Sequence, residues 1–316
     1  MNAPAYHLTQ FASDVRRGLA GPGQKELLAS YLYDELGSAL FEAITLLPEY
    51  GLTRADARVL HAHARDIANI VSAPTIVVEL GSGSGMKTRP VLQAFRRRQM
   101  VEYYPIDVSA AALRACAAEL AAIAEVHPIE ASYVDGLRRA TRMRNDGHNL
   151  LVMFLGSTIG NFEREPALRF LSEVYSMLAP GDYLLIGADL VKPAARMLLA
   201  YDDPLGVTAA FNKNLLVRMN RELGADFELA NFDHEARWNE EHRRIEMHLR
   251  SNRRQTVRLP DAQLTAVFSA GETIWTESSH KFKVEELEIL AAGAGFTPER
   301  YWVDQEWPFA ECLWRV

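Results

Sequence analysis

The sequence predicts an α/β protein, a doubly wound parallel sheet carrying a second, smaller α+β domain. Two observations predict it. Between Thr75 and Gly187 short apolar runs alternate with helical patterns, as right-handed βαβ units require. The runs Asn149–Gly156 and Tyr183–Gly187 are apolar almost throughout, which marks strands covered on both faces, and Thr75–Leu80 is a short β-branched run. The alternation then fails between about residues 190 and 260, so that stretch reads as an insertion.

The elements follow in order. Residues 1–24 are mixed in character and end in the turn Gly21-Pro22-Gly23. Leu27, Leu28, Tyr31 and Leu32 recur at helical spacing, and Leu40, Phe41, Ile44 and Thr45 continue it to Pro48. Thr53 is expected to cap a helix through Ile70 with Ala57, Leu60, Ala64 and Ile67 on one face. A strand over Thr75–Leu80 runs into the cluster Gly81-Ser82-Gly83-Ser84-Gly85. A helix over Lys87–Arg97, a strand over Tyr103–Asp107 and an alanine-rich helix over Ala110–Ala124 come next. Leu168–Leu178 is amphipathic, and Ala179-Pro180-Gly181-Asp182 is a turn. Ala194–Tyr201 and Val207–Leu223 read as helices, Arg244–Arg250 and Thr256–Leu259 as strands. Val284–Ala294 is a closing helix, and Tyr301–Asp304 with Cys312–Val316 is an antiparallel hairpin at the sheet edge. The expected division is 66–190 with 265–316 for the sheet domain, and 1–65 with 191–264 for the smaller one.

Composition narrows the function. The 316 residues suffice for two domains and an enclosed site. A net charge of −7 lacks the basic surplus that a phosphate backbone needs, so no nucleic-acid partner is expected. Cys116 and Cys312 fit no metal spacing, and no metal site is expected. The N-terminus has no signal-peptide core, and the strongly apolar run Leu150–Leu155 is far short of the ~20 residues that span a bilayer. The expectation is a cytoplasmic protein with no membrane partner.

The glycine cluster lies between a strand and a helix, where backbone can approach a ligand closely and free N–H groups are available. Its spacing is G-x-G-x-G rather than the G-x-G-x-x-G of dinucleotide sites. Asp107 ends the next strand, at a fitting distance for a ribose diol. This layout resembles the class I S-adenosylmethionine (SAM) methyltransferases, with a Rossmann-like sheet. That resemblance places Asp135-Gly136 at the adenine and makes SAM the methyl donor, with S-adenosylhomocysteine as product.

A more specific resemblance spans about Leu19 to Val316. Its carriers are Tyr33-Asp-Glu-Leu-Gly-Ser-Ala-Leu-Phe41, Leu47-Pro-Glu-Tyr50 with Thr53-Arg54, and Leu80-Gly-Ser-Gly83 with Lys87-Thr-Arg89. Leu155-Gly-Ser-Thr-Ile-Gly-Asn-Phe162, Tyr201-Asp-Asp203, Thr208-Ala-Ala-Phe-Asn212 and Thr276-Glu-Ser-Ser-His-Lys-Phe282 follow in order. Together they resemble the histidine Nα-methyltransferases of ergothioneine biosynthesis, which make hercynine from L-histidine and three SAM. The resemblance implies a second domain that closes over the amino acid, and a monomer. It implies that Gly81, Ser82, Gly83, Lys87, Asp107, Asp135 and Gly136 hold SAM. It implies that Tyr50, Asn161 and Tyr201 hold the amine and carboxylate of histidine. Glu277, Ser278 and Ser279 would read the imidazole, and Met247 would line the side-chain pocket. The chain departs from the family at Gly51-Leu52, where Tyr-Pro is expected, and at Gly136, where a bulkier residue is expected.

Methyl transfer to nitrogen needs a lone pair, so the ammonium must first lose its proton. Water or Tyr33 is the candidate for assisting that loss, and Asn161 for placing the amine. Glu277 and Ser279, two apart on an extended segment, face one side and offer a carboxylate and a hydroxyl to the two imidazole nitrogens. The other reading of Asn161 is a cap for the helix starting near Glu165. Two other functions stay open: a related N-methyltransferase for another amine, or a non-catalytic SAM-binding regulator.

Overall fold

The computed structural model describes residues 3–71 and 74–316. Its elements run α1 (Ala3–Ala20), β1 (Lys25–Glu26), α2 (Glu35–Leu46), α3 (Leu52–Ile70), β2 (Thr75–Leu80), α4 (Arg89–Arg96) and β3 (Glu102–Asp107). Then come α5 (Ala110–Leu120), β4 (Glu125–Val126), β5 (Ile129–Glu130), α6 (Tyr133–Arg142), β6 (Asn149–Phe154), α7 (Arg164–Ser176), β7 (Tyr183–Asp189), α8 (Ala194–Tyr201) and α9 (Val207–Leu223). The chain closes with β8 (Phe232–Asn239), β9 (Arg244–Ser251), β10 (Gln255–Leu259), β11 (Leu264–Phe268), β12 (Thr273–His280), α10 (Val284–Ala294), β13 (Thr297–Asp304) and β14 (Phe309–Arg315).

Two compact units result: Leu52–Val191 with Lys281–Val316, and the residues up to Gly51 with Lys192–His280. The division differs from the sequence expectation at three elements, one of them β11, which stays with its hairpin partner β10 in the second unit. Helix α3 belongs to the first unit because its buried stripe, Val59, Leu60, Ala64 and Ile67, joins the core beneath that unit's sheet. Strand β12 belongs to the second because it pairs with β9 and β1 there.

The first unit is built on a sheet in the order β13-β14-β7-β6-β2-β3-β4, with β5 also paired to β3. Strands β3, β2, β6 and β7 are mutually parallel, and the hairpin β13–β14 closes one edge antiparallel, as the sequence predicts. Successive side chains enter opposite cores. Ile76, Val78 and Leu80 of β2 join Val152, Phe154, Leu184 and Ile186 on one face, while Val77 joins Tyr103, Leu151, Met153 and Leu185 on the other. Strand order reverses between β2 and β6, so the loops after these strands lie at a topological switch point, where doubly wound sheets bind ligands.

The second unit holds the four-stranded sheet β1-β12-β9-β8 and the hairpin β10–β11. Helix α9 buries Phe211, Leu215 and Met219, four residues apart, and α2 packs on it. Asp34 caps α2 by accepting from Gly37 N at 2.8 Å and also takes Asn214 Nδ2 at 2.6 Å, fixing α2 to α9.

Several local expectations change. The mixed N-terminal residues form α1, whose buried apolar side chains among the described ones are Phe11, Val15 and Leu19. Leu27–Leu32 is not an α-helix. Lys25–Glu26 pairs with β12, Leu27 N donates to Trp275 O at 2.8 Å, and Ala29–Leu32 is one 3₁₀ turn. Helix α3 begins at Leu52, so Thr53 lies inside it. The inserted stretch has further strands, β8 and β11, because each finds an antiparallel partner. No helix among the described residues is long and apolar enough to cross a membrane.

Candidate active site

In the sheet-bearing unit the turn after β2 is shaped by left-handed backbone. Gly81, Gly83 and Gly85 have φ of 76°, 51° and 73°. Gly81 N and Ser82 N donate to Ile106 O at 2.8 and 3.2 Å, binding the turn to β3. A side chain at Gly85 would begin 2.6 Å from Cys116 Sγ, whereas one at Gly83 would meet nothing within 4 Å. The first glycine position is thus a packing need and the other an open approach. Asp107 Oδ2 accepts from Gly83 N at 3.2 Å and its Oδ1 from Ser109 N at 2.9 Å, so the acid is held at the mouth of this turn. Those features fit a nucleoside-bearing ligand: exposed glycine backbone beside a fixed carboxylate.

Asp135 is exposed on the first turn of α6. Its carboxylate accepts from Ser132 Oγ at 3.0 Å and from Arg138 Nη1 at 2.9 Å, while its backbone N–H donates to Ser132 Oγ. Gly136 is buried, and a Cβ there would run into Ile106 of β3. The expected bulkier residue has no room because α6 lies close against that strand.

Beneath the glycine turn lies a buried charged cluster. Alternation sends Glu79 and Glu311 to the sheet face covered by α3. Glu79 accepts from Thr88 Oγ1 at 2.5 Å and from the Tyr103 hydroxyl. Burial lifts its carboxyl to about 7, against the pull of those two hydroxyls and Lys87. Glu311 sits opposite Gly187, whose missing side chain leaves it space. Burial, with Asp56 beside it, pushes the Glu311 carboxyl far above the ordinary range. Asp56 is fully buried, and its Oδ2 takes Lys87 Nζ at 2.7 Å and Gly156 N at 3.0 Å. Burial favours a neutral Lys87, but Asp56, followed by Glu79 and Glu311, outweighs it and holds the ammonium above its ordinary pKa.

The loop after β6 follows the same left-handed logic. Gly156 and Ser157 have φ of 73° and 60°, and Ser157 Oγ accepts from Asp189 N at 2.9 Å. Asn161 ends the short turn Thr158–Asn161. The N-cap of α7 is Glu163, so Asn161 is not the helix cap.

In the other unit, Tyr33, Phe41, Tyr50, Tyr201 and Phe211 form an aromatic series. Ring centroids are 5.5 Å apart for Tyr33–Phe41, 6.3 Å for Phe41–Tyr50 and 6.1 Å for Tyr50–Tyr201. Phe211 lies 5.5 Å from Tyr33. Tyr201 Oη and Ser279 Oγ share a hydrogen bond of 2.7 Å. On β12, Glu277 pairs with Met247 and Ser279 with Ile245, so Glu277 and Ser279 share a face and Ser278 takes the other. All three are buried. The register slips between Trp275 and Glu277, where Trp275 Nε1 donates to Glu277 O at 3.0 Å, and this sets which face Glu277 takes.

His234 and Asn212 complete the arrangement and were not singled out as site residues from the sequence. His234 Nε2 donates to Tyr201 O at 2.7 Å, which leaves Nδ1 to accept from Asn212 Nδ2 at 2.9 Å. Asn212 stood in the Thr-Ala-Ala-Phe-Asn stretch, but nothing in that stretch pointed to His234, which comes from β8. Arg96 and Arg98 donate to the carbonyls of Ala122 and Ala68, finishing neighbouring helix ends. His63 stacks on Trp302. Among the described residues no group of three or more His, Cys, Asp or Glu is arranged to hold a metal ion.

The sequence matches the family model for histidine-specific, SAM-dependent methyltransferases over residues 11–316. It is 45% identical over 301 residues to a histidine Nα-methyltransferase of Mycobacterium tuberculosis, covering 95% of this chain and 93% of that protein. It is 43% identical to the enzyme of the same name from Mycolicibacterium smegmatis, with the same coverage. It is also 34% identical over 205 residues to ergothioneine biosynthesis protein 1 of Neurospora crassa, covering 64% of this chain and 23% of that much longer protein.

Proposed function

This chain belongs to the histidine-specific, SAM-dependent methyltransferase family, and from that premise we propose that it methylates the α-amine of L-histidine three times. The product would be hercynine, placing the reaction in ergothioneine biosynthesis. The observation that carries the choice of histidine is the buried pair on β12. Glu277 and Ser279 share one face, and Ser279 is already fixed by Tyr201. A carboxylate can accept from one imidazole nitrogen while a hydroxyl serves the other. A side chain without those nitrogens would forgo both hydrogen bonds, and sites that recognise a substrate by such polar pairing commonly discriminate by about 10⁴ or more.

In this reading Gly81, Ser82, Gly83, Lys87, Asp107, Asp135 and Gly136 hold SAM. When bound, SAM supplies a methyl on a sulfonium with a good leaving group, so the protein's task is positioning. Tyr50, Asn161 and Tyr201 hold the amine and carboxylate of the substrate. Glu277, Ser278 and Ser279 hold the imidazole, with Met247 against it. Tyr33 assists proton loss from the ammonium. The aromatic series from Tyr33 to Tyr201 supports repeated methylation, because ring faces accept a cation that no longer has an N–H to donate. The enzyme is read as a monomer of the cytoplasm with no nucleic-acid partner.

The test is incubation of the protein with SAM and each of the twenty amino acids, followed by mass spectrometry. Trimethylated histidine is the expected product. Methylation of another amine would move the substrate, mono- or dimethylhistidine as end product would remove the three-round reading, and SAM binding without transfer would favour a regulator. Tyr33→Phe should slow turnover with little change in SAM affinity. An unaltered rate across pH would remove Tyr33 from the proton's path.

A further inference from the structure

Lys87 carries four rotatable bonds on the segment between the glycine turn and α4, and a free lysine there would point a charge nowhere in particular. It does not move freely. Its Nζ is 2.7 Å from Asp56 Oδ2, and the same oxygen accepts from Gly156 N at 3.0 Å. One carboxylate oxygen therefore joins the segment after β2 to the loop after β6, the two loops of the switch point. Asp56 itself cannot swing, since it is fully buried on the first turns of α3. Gly156 completes the geometry: its φ is 73°, and a Cβ there would stand 3.1 Å from Lys87 Nζ.

We propose that Asp56 is a positioning residue for the amino-acid end of the methyl donor, holding Lys87 and the Gly156 amide so that the ammonium presents its remaining N–H groups to the donor's carboxylate. The inference rests on the reading that Lys87 holds SAM. The neighbouring charges agree with it. Lys87 faces Asp56, Glu79 and Glu311, and three ionised carboxylates there would repel an incoming carboxylate. Glu311 is buried beside Asp56, and both of its oxygens and Asp56 Oδ1 lack a conventional donor. A proton on Glu311, given in a hydrogen bond to Asp56 Oδ1, satisfies two of these atoms at once and removes one negative charge. Asp56 and Lys87 then form a neutral, preorganised pair whose ordering cost is met on folding rather than on binding.

The test compares S-adenosylhomocysteine with its decarboxylated analogue by titration calorimetry, in wild type, Lys87→Met and Asp56→Asn. Wild type should prefer the intact ligand, and Lys87→Met should lose that preference. Asp56→Asn should lower affinity for S-adenosylhomocysteine by about tenfold or more, the scale of a hydrogen bond to a charged group, and change the decarboxylated analogue by about twofold at most. Equal loss for both ligands would mean a merely structural role and overturns the proposal, as does a fully retained preference. If wild type itself shows no preference, the placing of the donor's carboxylate at Lys87 fails, which is a different result. Should Asp56→Asn not fold, Asp56→Glu keeps the charge and displaces it by one methylene. It should lose the preference in the same selective way, and full retention there overturns the proposal.

Discussion

Glu79 offers the sharpest quantitative handle on the buried cluster. The perturbation is Glu79→Gln, which keeps an oxygen for Thr88 Oγ1 and the Tyr103 hydroxyl but removes the ionisable proton. Burial holds the native carboxyl at about 7, against an ordinary 4.5. The folded pKa is raised, so the group's contribution to stability is full below about 4.5 and is lost as pH climbs through 7. At about 1.4 kcal/mol per pH unit, that gap is worth about 3 kcal/mol, most of which falls between pH 5 and pH 8. Glu79 is nearly inaccessible to solvent, so screening removes little of it. The assay is urea unfolding of both proteins at pH 5 and pH 8. The difference between them reports Glu79 together with its electrostatic link to Lys87 and Glu311, while groups away from the cluster are common to both and cancel. Expected is a stability gain for Glu79→Gln, relative to wild type, that grows by about 2–3 kcal/mol from pH 5 to pH 8. A difference that is flat across that range would refute the assignment of a neutral Glu79 below pH 7.

Three further outcomes follow from the packing. Gly85→Ala should cost about 1–2 kcal/mol for left-handed backbone plus about 1–3 for crowding Cys116 Sγ. In a Cys116→Ala background most of the second part should vanish, and strict additivity in the double-mutant cycle would contradict this. Lys281 and Asp189 form a fully buried pair at 2.9 Å, with Trp307 Nε1 also on Asp189; Lys281→Met should cost about 3–5 kcal/mol in chemical denaturation, and Lys281→Met with Asp189→Asn distinctly less. Burial lowers the pKa of His234, whose two ring nitrogens are committed to Tyr201 O and Asn212. Its stabilisation is therefore present above about 6.5 and lost as pH falls through the lower folded value, so His234→Gln should flatten the acid limb of the stability profile.

The parallel sheet was legible because its strands are buried on both faces, and β2 matches the Thr75–Leu80 run residue for residue. The glycine turn and Asp107 were legible for a related reason, as their spacing is local. What escaped depended on partners far along the chain. Lys25–Glu26 is a strand only because β12 lies beside it, some 250 residues later. The Tyr201–Ser279 bond and the His234–Tyr201 bond likewise join separate elements of the insertion. Family resemblance named Tyr201 and Ser279 without showing that they touch, and it passed over His234 altogether.

The buried acids show a subtler limit. Glu79 stands in a run that otherwise reads as core, and Glu311 in a closing strand of mostly apolar residues, so periodicity treats both as interruptions of little consequence. Their meaning comes from alternation combined with register. Glu79 shares the face of Val77, and Glu311 stands opposite Gly187, while α3 brings Asp56 to the same side. Three carboxyls with one lysine in a water-poor space cannot all ionise, so the fold must keep protons there at neutral pH. That costs stability as pH rises, and the cost is concentrated under the turn proposed to hold SAM. Replacing the acids by apolar residues of similar volume would remove that cost, as with other buried charges. It would also release Lys87, and the calorimetric comparison of ligands with and without a carboxylate separates those two effects.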